Sequence, residues 1–195
     1  MPIAINGSGT VTGISVGGLP DGIVDTDMIA ANAVTAAKRG AGAILQVKHT
    51  TKTDSFSSGT SSFHDITNFS VDITPISSSS KVFVMACVQY STAGSGGSRQ
   101  AVRLVRDSTA LGLGDSAGNR VRCSISSETS GGGGNMKSAT INFLDSPNTT
   151  SAVTYKIQCA AIDGNNFQLN ASVADTNLSS YPRVASHITV MEVAA

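Results

Sequence analysis

Val153-Thr154-Tyr155-Lys156-Ile157-Gln158-Cys159 alternates apolar and polar residues at every step, and that period of two decides the fold. Successive side chains of an extended strand point to opposite faces, so such a run buries one face and wets the other. Phe69, Val71 and Ile73 alternate in the same way with Ser70, Asp72 and Thr74, and Phe167, Leu169, Ala171 and Val173 with Gln168, Asn170 and Ser172. Further strands are expected over 44–50, 101–106, 120–125, 138–144 and 187–193. Turn-forming clusters separate them at 74–80, 94–97, 114–119, 131–135, 145–148 and 163–166. Eight to ten short strands in about 150 residues predict an all-β, jelly-roll-like antiparallel β-sandwich over 44–195.

Composition agrees. Ser, Thr and Gly supply 67 of the 195 residues, while Glu occurs only twice (Glu128, Glu192) and Lys six times, so the straight-chain helix formers are scarce. Lys+Arg and Asp+Glu balance at 13 each, which leaves no field to capture nucleic acid or an anionic membrane. No apolar run approaches the ~20 residues of a membrane span, and Met1-Pro2-Ile3-Ala4-Ile5-Asn6-Gly7 lacks the basic start and apolar core of a signal peptide. The three cysteines (Cys87, Cys123, Cys159) share no metal-ligand spacing and each falls in a strand-like run. They are expected to be buried free thiols made in a reducing cytoplasm, with a structural disulfide as the alternative.

Residues 1–43 differ in texture. A Gly-punctuated stretch over 7–22 precedes a short helix, capped by Asp25 or Thr26 and closed by Lys38-Arg39-Gly40. Met28, Ile29, Ala30, Ala31, Ala33, Val34, Ala36 and Ala37 give that helix no polar face, and at 12 to 14 residues it is marginal alone in water. The region is therefore expected to be an attachment or oligomerisation segment. Val82-Phe83-Val84-Met85-Ala86-Cys87-Val88 is apolar on both faces, whereas the outer face of a lone sandwich meets water. Its outer side is expected to be covered by the N-terminal segment or a neighbouring subunit, or else by a long loop.

Chemistry is sparse. Gly114-Asp115-Ser116-Ala117-Gly118 fits G-x-S-x-G, but a nucleophilic serine needs a histidine base with an orienting carboxylate and, in that motif, a strand-to-helix turn. No βαβ alternation is present, and the motif sits where a hairpin turn is expected, although His64-Asp65 are sequence neighbours. Gly131–Gly134 lacks the Lys-Ser/Thr sequel of a P-loop. There is no H-x-H, C-x-x-C or EF-hand pattern, and Asp25-Thr26-Asp27 is better explained by capping. Arg99, Arg103, Arg106, Arg120 and Arg122 are expected to pair with Asp107 and Asp115 between strands or subunits. The expectation is no enzyme, no catalytic, metal or cofactor-binding residues, and no cofactor.

As a set, several segments resemble the C-terminal domains of bacteriophage tail fibre proteins of marine and cyanobacterial phages. They are Ile44-Leu45-Gln46-Val47, Thr51–Phe56, Val71-Asp72-Ile73-Thr74-Pro75 into Lys81-Val82, and Arg103–Thr109 with Gly112–Arg120. Phe143–Pro147, Thr149-Thr150, Thr154–Gln158 and Ser186–Val193 complete the set, and the segment through Lys38 looks like the shaft that precedes such domains. The resemblance implies a homotrimeric β-sandwich head on the virion, held to other virion proteins by its N-terminal segment and attaching to a host cell-surface glycan or protein. Such fibres usually carry repeated shaft segments, and this chain has a single short one. That departure keeps a capsid decoration (cement), collar or baseplate protein as the alternative. A soluble trimeric ligand of the tumour-necrosis-factor type shares the jelly roll but would carry a secretion signal. Receptor-binding residues are not assigned; the loops expected to carry recognition are Gly94–Ser98, Ser127–Asn135, Asp163–Asn166 and Asp175–Tyr181. In the last, Tyr181 lies near Arg183, a pair suited to stacking on a sugar ring, while Tyr181-Pro182 equally suits a turn packed on the core.

Overall fold

The computed structural model describes residue 29 and residues 33–35, 38–92, 98–129 and 135–195. The chain divides into two units, Met1–Arg39 and Gly40–Ala195. In the first, the Gly-punctuated stretch and most of the expected helix lie outside the described residues. Ala33–Thr35 are described and are not helical, and the Lys38 amide closes a turn onto the Thr35 carbonyl at 3.0 Å.

Among the described residues, the second unit is a two-sheet antiparallel sandwich of eleven strands. These are β1 (Ile44–Lys52), β2 (Phe56–Ser58), β3 (His64–Ile73), β4 (Lys81–Thr92), β5 (Ser98–Arg106), β6 (Thr109–Leu111), β7 (Ile125–Thr129), β8 (Lys137–Asp145), β9 (Val153–Ala161), β10 (Phe167–Leu169) and β11 (Ser186–Val193). One sheet, here sheet A, runs β1-β11-β4-β10-β2 with β8 on the other edge of β4. The second, sheet B, runs β3-β9-β5-β6, with β7 also on β5. The chain changes sheet at β3, β4, β5, β8, β9 and β10, the crossing pattern of a jelly-roll-like fold.

Inner residues follow from the period of two. Val82, Val84, Ala86, Val88 and Tyr90 of β4 face Leu104, Tyr155 and Ile157 across one apolar core. Ile66 and Phe69 are both buried although three residues apart, because the register of β3 on β9 shifts between Asp65 and Ser70. Between the Asp65 and Ser70 pairs β3 advances five residues while β9 advances two, and Asn68 in that stretch is at φ 57°, a conformation Asn tolerates better than most side chains.

The strand expected over 120–125 is not formed. After β6 the chain leaves the edge of β5 at Gly112 and rejoins it at Ile125. Ser124 closes the gap. Its hydroxyl accepts from the Leu104 amide and donates to the Leu111 carbonyl, both at 3.1 Å, so a side chain replaces the missing rung. Cys123 therefore lies in a loop, half-buried, and Cys87 is half-buried on β4; only Cys159 is buried, and all three are free thiols.

β10 also ends early, at Leu169, and the wet face expected at Asn170 and Ser172 is buried instead. Asn170, at φ 59°, is the reason. Its amide donates to the Lys52 and Asp54 carbonyls at 2.8 and 3.1 Å, and its oxygen accepts from the Ser186 hydroxyl at 2.6 Å. The backbone amide of Asn170 donates to Gln89 and its carbonyl accepts from Val184. Side chain and backbone together tie β1, β4, β10 and β11 at this residue, where the chain bends out of sheet A.

Candidate functional site

The outer faces of the two sheets differ in chemistry. On sheet B, Asp65, Gln158 and Arg103 lie opposite one another on adjacent strands. Gln158 donates to Asp65 at 2.7 Å and accepts from Arg103 Nε at 2.8 Å, while Lys156 pairs with Asp65 at 2.7 Å. The Arg103 guanidinium sits 4.1 Å above the Phe63 ring centroid. Burial works to raise the Asp65 pKa, but the Lys156 and Gln158 hydrogen bonds outweigh it and hold the carboxyl below its usual range. This face is a cross-strand polar network made for water.

On sheet A the register aligns Val47, Met191, Phe83 and Leu144 in one row across four strands. The next row is His49, Thr189, Met85 and Asn142, and the next brings Thr51, His187, Cys87 and Thr140 together. Val47 and Leu144 are each 53% exposed and Met85 39%. The outer side of β4 is thus open among the described residues of the chain, and the apolar strip extends over both neighbours of β4 and onto β1. No single strand other than β4 announces it, because it is assembled by pairing.

The loops fall into two groups. Residues 93–97 join β4 to β5, 130–136 join β7 to β8, and 162–166 join β9 to β10, so all three connections leave one end of the sandwich. Residues 94–97 and 130–134 lie outside the described residues, while Ser98 and Ser127–Thr129 belong to strands β5 and β7. Asp163 is pinned to Arg99, whose backbone amide donates at 3.0 Å. The loop of 170–185 does not share that end. It leaves sheet A in the gap between β10 and β11, which pair with the same edge of β4 at Tyr90–Thr92 and Lys81–Cys87.

There the structure brings Tyr181 and Arg183 together. Asp175, Thr176, Asn177, Leu178, Tyr181 and Arg183 line an open cavity of about 300 Å³. Arg183 Nε and Nη2 donate to the two Asp175 oxygens at 2.7 and 2.6 Å, a parallel fork. Tyr181 is half-buried and outside the core cluster, so the packed-turn alternative is not the arrangement found. Asp175, which anchors the pair, carries no sequence signal beyond its place in the loop.

The remaining sequence motifs are placed as follows. Ser116 is exposed in the 112–124 loop. His64 bonds the Ser62 carbonyl and approaches the Cys159 sulfur, and Asp65 is engaged by Lys156 and Gln158, so these residues form no relay with Ser116. Among the described residues of one chain, the clustered arginines form no ion pair with Asp107 or Asp115. Arg106 pairs with Asp145, which also accepts from the Tyr155 hydroxyl at 2.7 Å, and Arg99 with Glu128 and Asp163. Asp107 instead accepts from the Thr154 amide, because its turn at φ 53° faces β9. Among the described residues, no group of three or more His, Cys, Asp or Glu could hold a metal ion, and no helix is long and apolar enough to cross a membrane.

Fold and surfaces together define an antiparallel sandwich with one polar and one apolar outer face and a loop cavity. No protein-family model matches the chain, and no curated protein matches its sequence. Among solved structures, that of the infectious bursal disease virus Gx strain is similar over 76% of this chain and 40% of that one, at 14% identity and a TM-score of 0.37. The infectious bursal disease virus VP2 subviral particle is similar over 76% and 41%, at 15% identity and a TM-score of 0.34. The chain spans about two-fifths of the length of these structures. The likeness is too slight to bear on function.

Proposed function

We propose that the chain is a virion structural protein, a homotrimeric tail fibre or receptor-binding appendage that attaches a phage to its host without catalysis. The observation that carries this reading is the apolar row Val47–Met191–Phe83–Leu144 on the outer face of sheet A, a surface suited to a subunit contact. The resemblance of most of the chain to phage tail fibre heads supplies the setting. Three copies packed through this face bury it, residues 1–43 fasten the trimer to other virion proteins, and the loops meet a cell-surface glycan or protein. Neutral net charge fits a surface that binds neither nucleic acid nor an anionic membrane.

Gold-labelled antibody against residues 44–195, imaged on intact virions, tests the location. Label on tail appendages is the expected result. Label over the head replaces the reading with a decoration protein, for which capsid stability becomes the assay.

A further inference from the structure

We infer that the cavity of the 170–185 loop is a saccharide site, selective for a neutral pyranose. The inference rests on the host-attachment reading for its biological meaning and on the cavity for its chemistry.

Three features select that ligand. Among the described residues, Asp175 and Arg183 are the only charged ones lining the cavity, and they neutralise each other through the fork, so an anion meets the carboxylate and a cation meets the guanidinium. Both groups keep capacity after pairing. Arg183 has three further N–H groups and each Asp175 oxygen a further lone pair, a set that matches hydroxyls able to donate and accept at once. Asn177 adds an amide of the same dual kind. Against these stand Leu178, 60% exposed, and the half-buried Tyr181 ring, apolar surface for the C–H face of a sugar.

The site is also held in advance. Asn170 fixes one root of the loop, Ala171 bridges to Arg183, and the Val184 amide returns to the Asn170 carbonyl. Within the loop the Asp175 amide bonds the Ser172 carbonyl and the Tyr181 amide the Leu178 carbonyl. Little loop ordering is left to oppose binding.

The test is saturation-transfer NMR on the full chain with methyl glycosides of glucose, galactose, mannose and N-acetylglucosamine, and with methyl glucuronide, each at about 10 mM, well above a Kd of ~1 mM. At least one neutral glycoside is expected to bind. Tyr181→Ala should weaken it at least about tenfold, and Asp163→Asn in the other loop group should leave it unchanged. Asp175→Asn should reverse the preference, because it frees the Arg183 charge for the glucuronide carboxylate. Unchanged circular dichroism and melting temperature show that the variants fold.

No neutral glycoside bound, binding that survives Tyr181→Ala, or a wild-type preference for glucuronide each overturns the inference. Competition with phage adsorption is scored separately. Wild-type protein that blocks adsorption but binds no glycoside overturns the saccharide site and leaves host attachment standing. Glycoside binding at this cavity without competition supports the site and overturns host attachment.

Discussion

The outer faces of sheets A and B are built from strands of similar length and opposite chemistry. Sheet B carries Asp65, Lys156, Gln158 and Arg103 in mutual hydrogen bonds and buries the small Ala101, Val105 and Ala160 among them. Sheet A carries the apolar Val47, Met191, Phe83, Leu144 and Met85 beside rows that hold His49, Thr189, Asn142, Thr51, His187 and Thr140. The two inner faces are equally apolar, so core formation does not account for the difference. Sheet B ends in a hydrogen-bonded network, whereas sheet A leaves Val47 and Leu144 each 53% exposed.

The strongest way to break this comparison is a charge on each face. Val47→Lys and Leu144→Lys alter side chains that are half exposed, so the isolated fold should change by no more than about 0.5 kcal/mol. In a packed interface each leaves a buried, unpaired ammonium costing about 3 kcal/mol or more, a weakening of about a hundredfold. If the chain assembles as the proposed trimer, sedimentation equilibrium should show Val47→Lys and Leu144→Lys dissociating it, whereas Thr154→Lys on sheet B leaves it intact. Variants that stay trimeric remove sheet A from the interface.

Thiol labelling sharpens the same point. Cys87 is on the outer face of sheet A, Cys123 in the 112–124 loop, and Cys159 in the core, where burial pushes its thiol pKa up to about 12. Cys159 should stay silent towards a thiol reagent at neutral pH. Cys87 should react about tenfold more slowly in the assembled protein than in the Leu144→Lys monomer, with Cys123 unchanged as the internal reference. Equal Cys87 rates mean that the face is open in the assembly.

How much of this was legible beforehand depends on distance along the chain. The strands at 69–73 and 153–159 show in the period of two because each face is fixed by its own residues, and 82–88 shows as an unbroken apolar run. The apolar strip on sheet A is half legible. β4 betrays it, but Val47 and Leu144 join it only through register with Met191 and Phe83, which no local pattern encodes. The misjudged pieces are those where one polar side chain replaces backbone pairing. Ser124 stands in for a rung and ends an expected strand, and Asn170 turns an expected wet position into the anchor of the candidate cavity. Tyr181 and Arg183 were visible as a pair, but Asp175, which neutralises the site, was not distinguishable from other loop carboxylates.

Glu192 gives a smaller effect that separates folding from assembly. It is buried at the inner end of β11, accepting from Gln46 at 2.6 Å and from the Ile76 amide at 2.8 Å. Burial works to raise its pKa, but these hydrogen bonds together hold it below the ordinary 4.5. The unfolded chain then binds the proton more readily, so the stabilisation is present above about pH 4.5 and lost as pH falls through the lower folded value. Glu192→Ala should cost about 1–3 kcal/mol by removing the acceptor of the part-buried Ile76 amide and of one Gln46 bond, Gln46 keeping the Thr74 carbonyl. Urea midpoints across acidic pH should show the same loss in the Leu144→Lys monomer as in the wild type. A loss confined to the assembled protein places Glu192 at the subunit contact instead.

The smallest effect belongs to sheet B, and its smallness is the point. Lys156 and Asp65 are in ideal contact at 2.7 Å, yet the Asp65 side chain is 50% exposed, so water competes for both charges. A double-mutant cycle with Lys156→Ala and Asp65→Ala should give a coupling of about 0.2–1 kcal/mol that shrinks with added salt. A face wetted in the assembled protein gives that value whether the chain is monomeric or trimeric. A coupling that rises to about 3 kcal/mol and resists salt only in the wild-type trimer means that assembly desolvates this pair. Sheet B would then be the covered face, and the polar network would be an interface lock instead of a solvent surface.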